Sequence, residues 1–272
     1  MTPISTIAEV SFKLESTNPS GSAKDRALPL QIDRLKSLGF TEAVISSSGN
    51  AAISAAHFCQ LEKIPLTIFL PSHVNPHKLK LIKSFKFPIV LSPQPNSQAF
   101  RFSKTKGAYY LRQSTDPSAR IGYSQIGTEI NSQYPQATSL IIPVGSGSTL
   151  LGISDTLLPT IKLIAAQPAS SAPICSHFDS NFDPETFTVT DALSVKMLPL
   201  KSVIIDVLSS RGRGVVVQND LTQQAVTWLK DNDLNASAET ALCLAALWKL
   251  RANHSDLLGP NPLILATGCL RI

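Results

Sequence analysis

An α/β fold of mostly parallel, twisted sheets covered by helices is the class this sequence predicts, and three observations predict it. Short apolar runs alternate with longer segments of helical character. The runs are continuously apolar, which fits strands buried on both faces. Small or polar residues follow each run. The strand candidates are EAVIS (42–46), PLTIFL (65–70), PIVLS (88–92), SLIIPV (139–144), IKLIAAQ (161–167) and PLILAT (262–267). Helical stretches lie at Ala51–Lys63, Gln125–Gln133 and Thr222–Asn232, and an Ala/Leu-rich helix runs from Ser237 to Arg251. Segment 169–190 carries Pro, Ser and Asp without a period and reads as a loop-rich excursion.

With 272 residues, 43% of them apolar and 16% charged, the chain can bury a sizeable core, and disorder is excluded as its main state. Lys and Arg total 24 against 19 acidic residues, a net +5. That surplus reads as mild and spread along the chain, which disfavours a nucleic-acid partner and favours small anionic ligands. Cys59, Cys175, Cys243 and Cys269 form no C-x-x-C pair, so four reduced thiols are expected. His57, His73, His77, His177 and His254 show no ligand spacing; His73 and His77 straddle Pro76, and no metal is expected. Trp228 and Trp248 read as core. The N-terminal stretch lacks a basic region followed by a long apolar one, and no apolar run reaches the roughly 18 residues of a membrane span. No membrane association and a cytoplasmic location are therefore expected.

Four polar, glycine-containing stretches stand out: NPSGSAKDR (18–26), SSSGN (46–50), PVGSGSTLLG (143–152) and LATGC (265–269). Three follow strand candidates, at whose carboxyl ends ligands sit in such sheets. In the third, Gly145 and Gly147 permit a tight turn, Ser146, Ser148 and Thr149 offer hydroxyls, and a helix starting at Leu150 or Leu151 turns its positive end toward an anion such as a phosphate. An ordinary strand–helix turn explains this stretch equally well. In SSSGN one residue is explained as a helix N-cap, while the remaining hydroxyls and the amide could hold a ligand's carboxylate or ring hydroxyl. Lys24 stands at the start of the helix DRALPLQIDRLKSL. Cations are disfavoured there, and a neutral amine is the nucleophilic form a Schiff base needs. Asp25 and Arg26 are expected to stabilise the turn.

NPSGSAKDR resembles the N-P-T-G-S-F-K-D-R signature of the fold-type II enzymes that depend on pyridoxal 5′-phosphate (PLP). SSGNAAISAA resembles their Asn-bearing loop, PVGSGSTLLG their phosphate loop, and LATG the segment whose Ser or Thr faces the pyridine nitrogen. All four occur in the family's order. SSGNAA, STDPSARIGYSQIGTEI (114–130) and SAETALCLAAL (237–247) look most like threonine synthase.

The resemblance implies that Lys24 forms the Schiff base and that Asn50 hydrogen-bonds the phenolic oxygen. Gly145, Ser146, Gly147, Ser148 and Thr149 would bind the phosphate, and Thr267 would contact the ring nitrogen. Ser47, Ser48 and Arg120 would bind substrate. It implies two lobes, a large PLP-binding one of residues 1–40 plus 126–272 and a small one of 41–125. It implies elimination or replacement on a small amino acid, threonine-synthase-like. The alternatives are a serine/threonine dehydratase, a cysteine-synthase-like β-replacement, or a PLP-binding homologue with little catalysis. A second copy of the chain is the expected partner. In the family's pattern an Asn and a nearby Arg accompany the region of DPSARIGY. Here Asp116 takes the place of the Asn and would repel a substrate phosphate. Only 23 residues precede Lys24, and no G-N-T-P-L-type strand is found among them, so the segment that covers part of the site and the dimer surface is expected to be missing.

Overall fold

A computed structural model of the chain describes residues 1–72, 74, 76–190, 193 and 198–270; His73 lies outside the described residues. In chain order the strands are β1 (Ile4–Ile7), β2 (Val10–Leu14), β3 (Ala43–Ser46), β4 (Leu66–Pro71), β5 (Ile89–Ser92), β6 (Tyr109–Tyr110), β7 (Ser139–Pro143), β8 (Lys162–Pro168), β9 (Gly212–Val217) and β10 (Pro262–Ala266). The helices are α1 (Lys24–Ser37), α2 (Asn50–Leu61), α3 (Pro76–Ser84), α4 (Pro95–Lys106), α5 (Pro117–Gln133), α6 (Ser148–Ser154), α7 (Lys201–Arg211), α8 (Asn219–Asp231), α9 (Ala238–Asn253) and α10 (Ser255–Leu258). The described chain divides into two compact units, Met1–Thr17 with Tyr123–Leu270, and Asn18–Gly122.

The first unit is built on a six-stranded sheet in the order β1-β2-β10-β7-β8-β9. All its pairings are parallel except β1 with β2. Helix α9 buries every residue from Ala241 to Leu247, as a helix apolar on all sides must. It packs with α8 on Ile141, Ile164, Val215 and Ile264. Trp228 and Trp248 join this core, their rings 6.5 Å apart. From β7 the chain steps outward to β8 and β9, then returns to lay β10 on the other side of β7. The reversal between β7 and β10 is a topological switch point, where such sheets open a crevice at their carboxyl ends.

The second unit holds a four-stranded parallel sheet in the order β5-β4-β3-β6. Steps from β3 to β4 and from β4 to β5 run one way, and the step from β5 to β6 runs back. Right-handed crossovers therefore put α2 and α3 on one face and α4 on the other. Helix α4 covers Val44 and Phe69 through Ala99 and Phe102.

Several elements depart from the sequence expectation. Strands β1 and β2 form an unpredicted hairpin, closed by Ala8 and Glu9 at φ 43° and 66°. Positive φ at both positions suits a two-residue hairpin turn, but neither residue carries the Asn or Gly that advertises one. Strand β9 opens on Gly212 and Gly214 and keeps an apolar run of only three valines, and β6 is two residues long, so neither shows a long apolar run. Residues 18–40, expected with the large lobe, group with 41–122, because Ser54 Oγ of α2 donates to Asp25 and Gln31 Nε2 of α1 donates to Asp116, at 2.6 and 2.9 Å. Residues 123–125 fall to the first unit. The charge is not spread evenly either. Residues 63–115 hold nine Lys and Arg and no Asp or Glu, while the whole chain nets +5.

Candidate active site

In the second unit, the turn 18–26 is fastened by a buried carboxylate. Asp25 accepts from the Ser20 amide at 2.5 Å, from the Ser20 hydroxyl, and from Ser54 Oγ at 2.6 Å. That bears out its expected turn-stabilising role and adds one that sequence reasoning missed: it joins the head of α1 to α2. A serine on the inner face of α2 was the only signal. Lys24 is the first residue of α1 and half-buried. Gly122 brings α5 onto this turn, since a Cβ there would stand 2.0 Å from the Arg26 carbonyl oxygen.

The SSSGN loop closes β3, as expected, but its capping differs. No side chain caps α2. The Gly49 carbonyl accepts from Ala52 N and Ile53 N instead, and Ser47 Oγ accepts from Gly49 N at 3.2 Å. Asn50 is the first helical residue, one turn before Ser54 on α2. Asp25 and Ser54 thus bring Lys24 and Asn50 to neighbouring helix starts within one unit. Ser47 and Ser48 are half-buried beside them in sequence.

Asp116 precedes α5 and is buried. It accepts from Ser118 N, Tyr109 Oη and Gln31 Nε2 at 2.9, 2.7 and 2.9 Å, and the arginine beside it is Arg34, at 3.9 Å. Burial, followed by the hydrogen bond to Asp116 and its charge, pushes the Tyr109 phenol up. Arg120, expected to bind substrate, is an exposed residue of α5.

In the first unit, residues 145–149 leave the carboxyl end of β7. Helix α6 starts at Ser148, ahead of the expected Leu150, because Gly147 takes the left-handed conformation (φ 83°) and offers its carbonyl to Leu151 N. A Cβ on Gly147 would meet Ile204 Cδ1 at 1.9 Å. Ser146 and Ser148 hydroxyls lie 3.2 Å apart. Gln167, buried at the end of β8, steadies the loop's entry: its Nε2 donates to the Val144 carbonyl and its Oε1 accepts from Ile174 N and Cys175 N. Sequence reasoning passed over it, although a polar residue closing an apolar strand is a usable signal. The register Ile264↔Ile141 brings Thr267, just past β10, out at the same sheet edge as this loop. The Gly268 carbonyl accepts from Ser237 N at 2.8 Å, tying this segment to the head of α9.

The two sets of residues lie in different units: Lys24, Ser47, Ser48, Asn50 and Arg120 in one, residues 145–149 and Thr267 in the other. Their chemistry fits a phosphate-bearing aldehyde. The 145–149 turn offers hydroxyls and the N–H groups of a helix's first turn, which lack intrahelical acceptors, and contains no carboxylate. Lys24 supplies a primary amine, and Asn50 and Thr267 supply neutral polar groups. Among the described residues no His/Cys/Asp/Glu group is arranged to hold a metal, and no helix is long and apolar enough to cross a membrane.

Comparison with known proteins agrees with this chemistry. L-threonine ammonia-lyase of Geobacter sulfurreducens is 23% identical over 275 residues, 94% of this chain and 66% of that protein. Cysteine synthase of Aquifex aeolicus is 30% identical over 202 residues, 67% of this chain and 62% of that protein. The chain thus spans about two thirds or less of these curated relatives. Among solved structures, maize serine racemase superposes with a TM-score of 0.85 at 20% identity over 100% of this chain and 88% of that one. Threonine deaminase isoform 2 of Solanum lycopersicum does so with 0.82 at 21% identity, over 99% and 79%. These likenesses establish the fold. Residues 2–268 match the family model described as "Pyridoxal-phosphate dependent enzyme", and the chain belongs to that family.

Proposed function

We propose that this chain is a PLP-dependent lyase that eliminates the hydroxyl from a small β-hydroxy amino acid, serine or threonine, releasing ammonia and a 2-oxo acid. The observation that carries the choice of substrate is the head of α5. A substrate phosphate needs a positioned cation, yet Asp116 is buried there with its oxygens engaged by Tyr109, Gln31 and the Ser118 amide. The arginine beside it, Arg34, stands 3.9 Å from that same carboxylate, and Arg120 is an exposed residue. That weakens the O-phosphohomoserine reading. The relatives named threonine ammonia-lyase and cysteine synthase favour the dehydratase and β-replacement alternatives over threonine synthase.

Each residue has a physical task in this reading. The ε-amine of Lys24 would hold the cofactor through its aldehyde and would serve as the base that takes a proton from the substrate's Cα. Asn50 donates to the ring oxygen. The 145–149 turn anchors the phosphate with main-chain N–H groups and the hydroxyls of Ser146, Ser148 and Thr149. Ser47 and Ser48 donate to the substrate carboxylate. Bound there, the cofactor supplies an electron sink for the carbanion at Cα. Thr267 would offer the ring nitrogen a neutral hydroxyl rather than a carboxylate, which would favour loss of a β leaving group over transamination.

The test has two parts. The purified holoprotein should absorb in the visible, and Lys24→Ala should lose that band; a band that persists rejects Lys24. The holoprotein should then release ammonia and a 2-oxo acid from L-serine or L-threonine. Phosphate release from O-phosphohomoserine without turnover of either would restore the threonine-synthase reading, and sulfide-dependent turnover of O-acetylserine alone would select β-replacement.

A further inference from the structure

Between Glu62 and Asp116 the chain carries nine Lys and Arg and no acidic residue. Within the second unit this stretch includes α3, β5 and α4. Strand β5 is the edge of its sheet, paired only with β4 among the described residues. Edge strands are commonly protected by charges or covering segments. Here the strand itself is Ile-Val-Leu-Ser, with Val90 36% and Leu91 53% exposed. Phe100 on α4 is 53% exposed, with Lys104 Nζ 5.5 Å from its ring centroid.

The crossover argument puts α3 and α4 on opposite faces of this sheet, so cations are carried on both of its faces. Lys80 and Lys83 lie on α3, Lys86 just ahead of β5, and Arg101, Lys104 and Lys106 on α4, all exposed. The stretch 63–115 itself contains no acidic residue.

We propose that the β5 edge is a docking surface for an extended, acidic peptide segment of a partner protein, which adds to the sheet as a further strand. Three features select this occupant. An open strand edge presents main-chain N–H and C=O groups that a peptide backbone matches and that lipid headgroups or nucleic-acid phosphates do not. Val90 and Leu91 ask for apolar side chains on the partner. The surrounding cations ask for carboxylates, which also steer the encounter. The surface lies within one unit and is independent of the proposed catalytic role.

A short fluorescein-labelled peptide alternating glutamate and valine, titrated with the holoprotein and followed by anisotropy at about 0.15 M salt, tests this. Binding should be saturable. It should weaken roughly tenfold or more in K83E/K104E, since two attractive pairs become repulsive, and weaken also in Leu91→Ser, which removes the apolar contact without changing the charge. A backbone N-methylated version of the peptide should not bind. Circular dichroism of the variants keeps folding separate from docking, because all the substituted residues are exposed. No binding of the parent peptide overturns the proposal, as does equal binding of the N-methylated peptide. Tighter binding of single-stranded DNA or of phosphatidylserine vesicles overturns it in favour of a different polyanion.

Discussion

Gly122 sets two effects of opposite sign against each other, and magnitudes decide between them. It lies inside α5, where Ala is intrinsically better than Gly by about 1 kcal/mol. By propensity alone Gly122→Ala would therefore stabilise the protein. The new Cβ, however, would stand 2.0 Å from the Arg26 carbonyl oxygen, 2.6 Å from its carbon and 2.9 Å from Ala27 Cα. All three are backbone atoms of α1, so no side chain can swing aside. An ordinary contact is about 3.5 Å or more, and α1 and α5 would have to part by more than an ångström. Overpacking of this kind costs typically 1–3 kcal/mol and occasionally more; with three backbone atoms inside 3.0 Å this site belongs at the upper end, so the net loss should be about 2 kcal/mol, or roughly 4–8 °C in Tm. Because Arg26 is two residues beyond Lys24, the displaced turn should also weaken uptake of the cofactor and lower the visible absorbance at a fixed PLP concentration. Thr128→Ala, on the exposed side of the same helix, isolates the propensity effect and should be neutral or stabilising by a few tenths of a kcal/mol. A Gly122→Ala protein that melts higher than its parent would refute the close-packing argument. A large Tm loss with unchanged cofactor uptake would show that the clash is absorbed away from the Lys24 turn.

Other consequences can be checked with the same material. Gly147→Ala puts a Cβ into Ile204 at a left-handed backbone position; PLP affinity, measured by absorbance titration, should fall well beyond the loss in Tm. Lys13 is fully buried and donates to Glu129 at 2.5 Å, the Thr2 carbonyl and Gln133. Lys13→Met alone should cost about 3–5 kcal/mol in urea unfolding, whereas K13M/E129L should recover most of it. The Cys59 thiol is pushed by burial from its ordinary value of 9.0 up to about 12. Unfolding lets it ionise more readily, so its stabilising contribution is complete below pH 9 and is lost as pH rises toward 12; Cys59→Ala should flatten the stability–pH curve in that window. Cys175 and Cys243 are buried too, and burial holds their thiols up. Native protein should therefore react quickly with a thiol reagent at half-exposed Cys269, and C269S should abolish that fast phase.

Local chemistry was enough to read a mostly parallel α/β sheet with polar carboxyl-end loops from the sequence alone, whereas the two lobes were implied only by the family resemblance. All six apolar runs became strands; a strand buried on both faces must be continuously apolar, and among these only edge strand β5 leaves apolar residues exposed. The four glycine-containing stretches declared themselves because a tight turn and a helix start each demand particular residue types, and their order along the chain carried the family. What stayed hidden depends on partners distant in sequence. Ala8 and Glu9 close a hairpin without turn residues, because pairing onto β10 holds β2 in place. Residues 18–40 group with α2 and α5 through Asp25, Ser54, Gln31 and Asp116, none of them remarkable locally. Gly49, rather than a serine, caps α2, and Asp116 turned out to be a buried acceptor, not a free charge facing a substrate. Backbone propensity and patterning act over a few residues and can be read in order, whereas the satisfaction of a buried charge, or the room for one methyl group, is settled only when the chain has folded back on itself.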